Sequence, residues 1–222
     1  MKPHCSNRRN QALTLVEVLV IVAVLAILAT LLLPVSPPTK RINCKNNLEQ
    51  ISLAFRTWAG DNNDSFPMEV SVTNGGTMEL ASAGNAVTTF QIMSNELVTP
   101  KVLFCPADTR RVWATNFSTD FDNSHISYFI GVDADKNHPQ AFLTGDDNFA
   151  INGIPVRSGR FELSTNGITD WARMPVDWTG ARHKARTGNI CLVDGSIRET
   201  YFYSLRDYFY HTGLATNRLS IP

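Results

Sequence analysis

The sequence predicts an α+β protein: a long N-terminal helix, half membrane-spanning and half amphipathic, packed on a small globular domain with an antiparallel sheet. Three observations predict it. Residues 13–33 form a run of 21 that is apolar save for Thr14, Glu17 and Thr30. After a cluster of prolines, Cys44, Leu48, Ile51, Phe55 and Trp58 recur at helical spacing. Near the C terminus, NICLVDGSIRE reads as an apolar strand, an Asp-Gly turn and an alternating strand.

The first helix follows from length and polarity. At about 1.5 Å per residue the apolar run spans roughly 31 Å, close to the hydrocarbon core of a bilayer. The flank before it, MKPHCSNRRNQA, carries Lys2, Arg8 and Arg9 and no acid. A secretory signal peptide has the same charge order, but its apolar region is shorter and ends in a small-x-small cleavage site. Here the run ends in LLLPVSPP, so a retained span over 13–36 is the expectation. Glu17 costs about 2.5 to 3.5 kcal/mol at the centre of a span and less near its end. It sits about one turn in, where apolar neighbours outweigh it. It either reaches the headgroup region or meets a cationic partner inside the membrane.

The second helix begins after Pro34, Pro37 and Pro38, which lack an N–H and must kink or interrupt the first. Ser36 followed by Pro37 reads as an N-cap and first-turn proline. The apolar stripe then runs to Trp58, and Gly60 is the expected terminator. The two pieces would make a rod of about 47 residues, roughly 70 Å long. Its stripe requires a partner surface, which residues 61–222 supply. Within them a helix is expected at 87–97, strands at 102–105, 126–131, 140–143 and 189–193, and a last helix at 203–211. Residues 106–125 and 144–182 read as long loops rich in Asp, Asn and Gly.

The stretch A-LTLVE followed by the long apolar run resembles the class III signal of type IV pilins and type II secretion pseudopilins. The resemblance implies a pilin-like fold and a division into leader 1–12, transmembrane helix 13–36, amphipathic continuation 37–60 and exported domain 61–222. It also implies that a prepilin peptidase cuts between Ala12 and Leu13, that Leu13 is then N-methylated, and that Glu17 aligns subunits during assembly. Pro34 matches the proline that bends the long helix in many pilins. The residue before the cut is usually Gly, and the next commonly Phe; Ala12 and Leu13 depart from both. The implied partners are the peptidase, other pilin-like subunits, an inner-membrane assembly platform with its ATPase, and the lipid bilayer. ARHKARTGNICLVDG is similar to the H-x9-DG element of many pilin-like proteins, with ten residues rather than nine between His183 and the Asp194-Gly195 pair. LFCPAD is similar to their Cys-Pro segment.

Composition agrees with an exported, anchored chain. The 222 residues carry 20 Lys+Arg and 20 Asp+Glu. Loss of the leader would leave 17 basic residues against 20 acidic ones, a net charge of −3, which offers nucleic acid no electrostatic footprint. Of four cysteines Cys5 lies in the leader, Cys191 lies in an apolar strand, and Cys44 and Cys105 could form a disulfide in an oxidising compartment. His183 and Asp194 fall short of the three ligands of a catalytic zinc site, and no H-E-x-x-H or C-x-x-C occurs. Asp194 fits the positive-φ demand of a two-residue turn. Asp61 with Asp64, or Asp146 with Asp147, are the calcium candidates, set against solvated turns; no other cofactor is expected. A structural subunit rather than an enzyme is the leading reading. A periplasmic hydrolase would require a nucleophile and base, and no G-x-S-x-G is present. An adhesive or ligand-binding domain is the alternative, with Trp113, Trp171 and Trp178 as sugar platforms.

Overall fold

A computed structural model describes residues 15–31 and 37–222 apart from 119, 169, 184 and 185. The chain divides into two compact units, Met1–Ser36 and Pro37–Pro222. Ala12 and Leu13, expected to flank the cleavage, and Pro34, expected to bend the helix, lie outside the described residues. In the first unit α1 covers Leu15–Leu31, 17 residues that would extend roughly 26 Å. No helix among the described residues is long and apolar enough to cross a membrane. The expected segment 13–36 runs past the described part of α1 at both ends.

In the second unit α2 covers Pro37–Asp61, opening on proline as the sequence implied. All five residues of its apolar stripe are buried. Its terminator is not Gly60, which stays inside the helix. The left-handed residues are Asn63 and Asp64, at φ 55° and 64°. The Asp64 N–H donates to the Ala59 carbonyl at 2.8 Å, a bond that closes the last turn.

Short helices follow: α3 (Met78–Ser82), α4 (Ala86–Ile92) and α5 (Ser94–Leu97). The helix expected over 87–97 is therefore two, broken at Met93, whose ψ of 18° leaves the helical region. Asn85 caps α4, its side chain accepting from the Thr88 N–H. The strand expected at 102–105 is instead a 3-10 turn over Pro100–Leu103. Pro100 fixes φ at the first position, and the Thr99 hydroxyl accepts from the Lys101 N–H at 3.4 Å.

Among the described residues, nine strands and a last helix follow: β1 (Tyr128–Gly131), β2 (Phe142–Asp146), β3 (Phe149–Ile151), β4 (Ile154–Pro155), β5 (Gly159–Ser164), β6 (Val176–Trp178), β7 (Thr187–Leu192), β8 (Ile197–Tyr201), α6 (Phe202–Tyr210) and β9 (Thr216–Ile221). Six strands form an antiparallel sheet in the order β5-β9-β1-β2-β7-β8; a second sheet has the order β4-β3-β6. Alternation along the strands sends Tyr128, Ile130, Leu143 and Cys191 to the α2 side. Phe129, Phe142, Ile190 and Leu192 point the other way, onto Phe149, Trp178, Leu205 and Phe209 of the small sheet and α6. The main sheet is thus covered on both faces, α2 on one and α6 with the small sheet on the other.

The expected hairpin is β7–β8, with a different turn. The Gly195 N–H donates to the Leu192 carbonyl at 2.9 Å, and the Leu192 N–H to the Ser196 carbonyl at 3.0 Å. This is a three-residue loop with a bulge, in which only Gly195 has positive φ, at 82°. Asp194 does not supply the left-handed residue. Its carboxylate accepts from the Ser196 N–H at 2.8 Å and from Gln140 at 3.2 Å.

Candidate functional site

Two regions concentrate the residues that the sequence singled out. The first is α1. Its described side chains are exposed on every side, from 48% at Val18 to 79% at Leu15 among the large ones. A helix apolar all round belongs in a protein core or a membrane, since water solvates none of its faces well. Glu17 stands in its first turn, the one ionisable residue of LVEVLVIVAVLAILATL.

The second region is a buried network around His183. Its Nε2 lies 3.1 Å from Asp146 Oδ2 and 3.8 Å from Cys105 Sγ. Asp146, at the end of β2, also accepts from the Asn189 N–H at 2.7 Å and from its side-chain amide at 2.9 Å. Arg182, beside His183, donates to the Ser127 carbonyl at 2.5 Å, to Asp108 at 2.6 Å and to Asp147. Arg111 completes the set, 2.6 Å from Asp147. Arg110 lies 3.2 Å from the same carboxylate. Three carboxylates, of Asp108, Asp146 and Asp147, therefore face three guanidinium groups.

This pairing sets the protonation states. Burial pushes the Asp108 carboxyl up, but the Arg182 charge and the Arg110 N–H and charge outweigh it and hold the group at about 2. Burial likewise opposes ionisation of Asp146, and the hydrogen bond and charge of His183, then Arg182, keep it below its ordinary value. The three carboxylates together raise Arg182 against its own burial.

Cys44 and Cys105 are joined in a disulfide, Sγ–Sγ 2.01 Å, which ties α2 to the Cys-Pro segment. With His183 they form a group of three donor atoms within 4.8 Å of one another. Bonded to each other, the two sulfurs offer no thiolate to a metal. Asp146 and Asp147, a calcium candidate pair, have oxygens engaged by His183 and by arginines. Of the other pair, Asp64 is bridged by Lys136 at 2.6 Å, and Asp61 ends α2. His183 and Asp194 make separate contacts, so the H-x-DG spacing does not produce a His–Asp pair. His183 meets a carboxylate and a half-cystine, and Ser127 donates its hydroxyl to Asp108 at 3.1 Å. The network holds charge in place and joins loop 105–111, β2 and the segment before β7.

The sequence reading passed over Asp108, Arg110, Arg111 and Arg182. Asp108 and the two arginines follow the Cys-Pro segment closely, and Arg182 adjoins His183, which was the signal available. Among the tryptophans, Trp178 is buried and donates to the Thr200 hydroxyl at 3.0 Å, so it is a core residue and not a sugar platform. Trp113 is exposed. The Trp171 side chain lies outside the described residues. Cys191 is a buried thiol, and burial pushes it up to about 11.

Residues 7–33 match the model of the prokaryotic N-terminal methylation motif. The match ends before α2 and does not reach His183 or Asp194. No curated protein and no solved structure matches the chain. The matched motif is the prepilin type, and it indicates a pilin-like chain that a prepilin peptidase processes.

Proposed function

We propose that this chain is a pilin-like or pseudopilin structural subunit of a periplasmic or surface filament, in a type II secretion or type IV pilus-like system. The prepilin peptidase cuts between Ala12 and Leu13, and Leu13 is N-methylated. Residues 13–36 cross the cytoplasmic membrane once, which leaves residues 39–222 on the periplasmic or extracellular side. Other pilin-like subunits, an assembly platform and its ATPase are the partners. The observation that carries the reading is the methylation motif over residues 7–33, which coincides with a helix apolar on every face except at Glu17. Such a surface is satisfied by lipid before assembly and by neighbouring helices after it.

Intact-mass and N-terminal analysis of the membrane-extracted protein tests the processing step. The expected result is a chain beginning at N-methylated Leu13. A chain still beginning at Met1, or cut after residue 34, would overturn the proposal.

A further inference from the structure

On the globular unit, α2 carries Asn43, Asn46, Asn47 and Gln50 at helical spacing along the border of its buried stripe. Together with Lys101 and Trp113 they line an open cavity of about 410 Å³. Asn47 belongs partly to the frame, since its amide donates to the Phe104 carbonyl at 2.8 Å. Asn43, Asn46 and Gln50 are exposed. The Trp113 indole is half exposed and stands between this cavity and a second of about 280 Å³, where Thr115, Asn116 and Ser118 add hydroxyl and amide groups. The Lys101 ammonium sits 4.5 Å from the indole centroid and steadies the ring by a cation–π contact.

We propose that this groove binds a neutral oligosaccharide. A pyranose ring presents a C–H face that packs on an indole and a rim of hydroxyls that both donate and accept. Side-chain amides, which also do both, are the matching partners. Among the described residues that line the first cavity Lys101 is the one that carries a charge, and it is directed at the indole. In the second, Asp120 and His125 provide no excess of positive charge for an anionic ligand. Two adjoining depressions that share one aromatic wall accommodate more than one sugar ring. The site lies within residues 37–222 and stands independently of the filament reading.

Calorimetric titration of the full chain, in a detergent without a sugar headgroup, tests this with cellohexaose, chitohexaose and hexagalacturonate. The expected result is saturable binding of a neutral hexamer that is insensitive to salt. Trp113→Ala should weaken it roughly tenfold, the equivalent of about 1.4 kcal/mol. The pair Asn46→Ala and Gln50→Ala should weaken it several-fold. These side chains are exposed, so all variants should unfold at the wild-type temperature. Absence of binding by both neutral hexamers, affinity unchanged in Trp113→Ala, or tighter, salt-sensitive binding of hexagalacturonate would overturn the proposal.

Discussion

Arg182 is the residue on which the buried network depends, because its guanidinium contacts carboxylates from two separate parts of the chain. Asp108 reaches it from the loop after the Cys-Pro segment, and Asp146 and Asp147 from the end of β2. Arg182→Met keeps most of the side-chain volume and leaves these carboxylates short of one cation in a buried setting. Loss of one partner from such a group costs about 3 to 5 kcal/mol. Urea unfolding should show a loss of that size; a variant as stable as wild type would mean that Arg110 and Arg111 suffice. Asp108 adds a pH dependence. Its carboxyl is depressed in the folded state to about 2, while an unfolded Asp titrates near 3.9. Its contribution is therefore full above the unfolded value and is lost as pH falls through about 2. The thermal midpoint of wild type should fall between about pH 4 and pH 2. In Asp108→Asn the decline should be shallower but not absent, since Asp146 is shifted in the same direction.

Among the elements, α2 and the β7–β8 hairpin were legible in the sequence because each has a strong local pattern, an apolar stripe in one and Asp-Gly between apolar and alternating runs in the other. The small sheet was not read, although its signal was present. Asn152 and Gly153 join β3 to β4 with φ of 49° and 78°, the two-residue turn that Asn-Gly favours most. Its strands are only three and two residues long, too short for alternation to show. Strand β9 was missed for another reason. It pairs with β5 and β1, both distant in sequence, and packing rather than local propensity defines it. The charged network was illegible because the carboxylates that Arg182 joins lie 35 to 74 residues from it. Asp146 and Asp147 accordingly read as turn acids. Two predictions belong at this scale. The Cys44–Cys105 bond closes a loop of 61 residues, which by chain entropy contributes about 4 kcal/mol. Reductant or the double Ser variant should lower unfolding stability by up to that amount. Gly195→Ala forces a positive φ on a residue with a Cβ and pushes the Arg56 guanidinium off the hairpin. A loss of about 1 kcal/mol or somewhat more is expected in the same urea assay, because the arginine can swing aside while the backbone strain remains.

At the scale of the whole molecule, the chain joins a folded unit stabilised from within to a helix that finds no water-compatible face. Apolar helices in lipid associate with little preference for register, since lipid tails and leucine are about equally apolar. In the proposed filament Glu17 supplies the register. With the leader removed as proposed, a helix begun at Leu13 would bring its α-amine one turn from the level of a neighbouring subunit's Glu17. A carboxylate and an amine in a low-dielectric setting favour each other strongly over either charge alone. Glu17→Ala should leave membrane levels of the protein unchanged or slightly higher, because an acid has been removed from an apolar segment. Filament assembly with partner subunits should fail. Glu17→Gln keeps shape and hydrogen bonding and loses only the charge, so its failure would identify charge as the requirement. Recovery of sheared filaments and subunit cross-linking measure assembly, with membrane fractionation as the control. If Glu17→Ala assembles as well as wild type, Glu17 is a carboxylate tolerated near the headgroups, and subunit register must come from residues 37–222 instead.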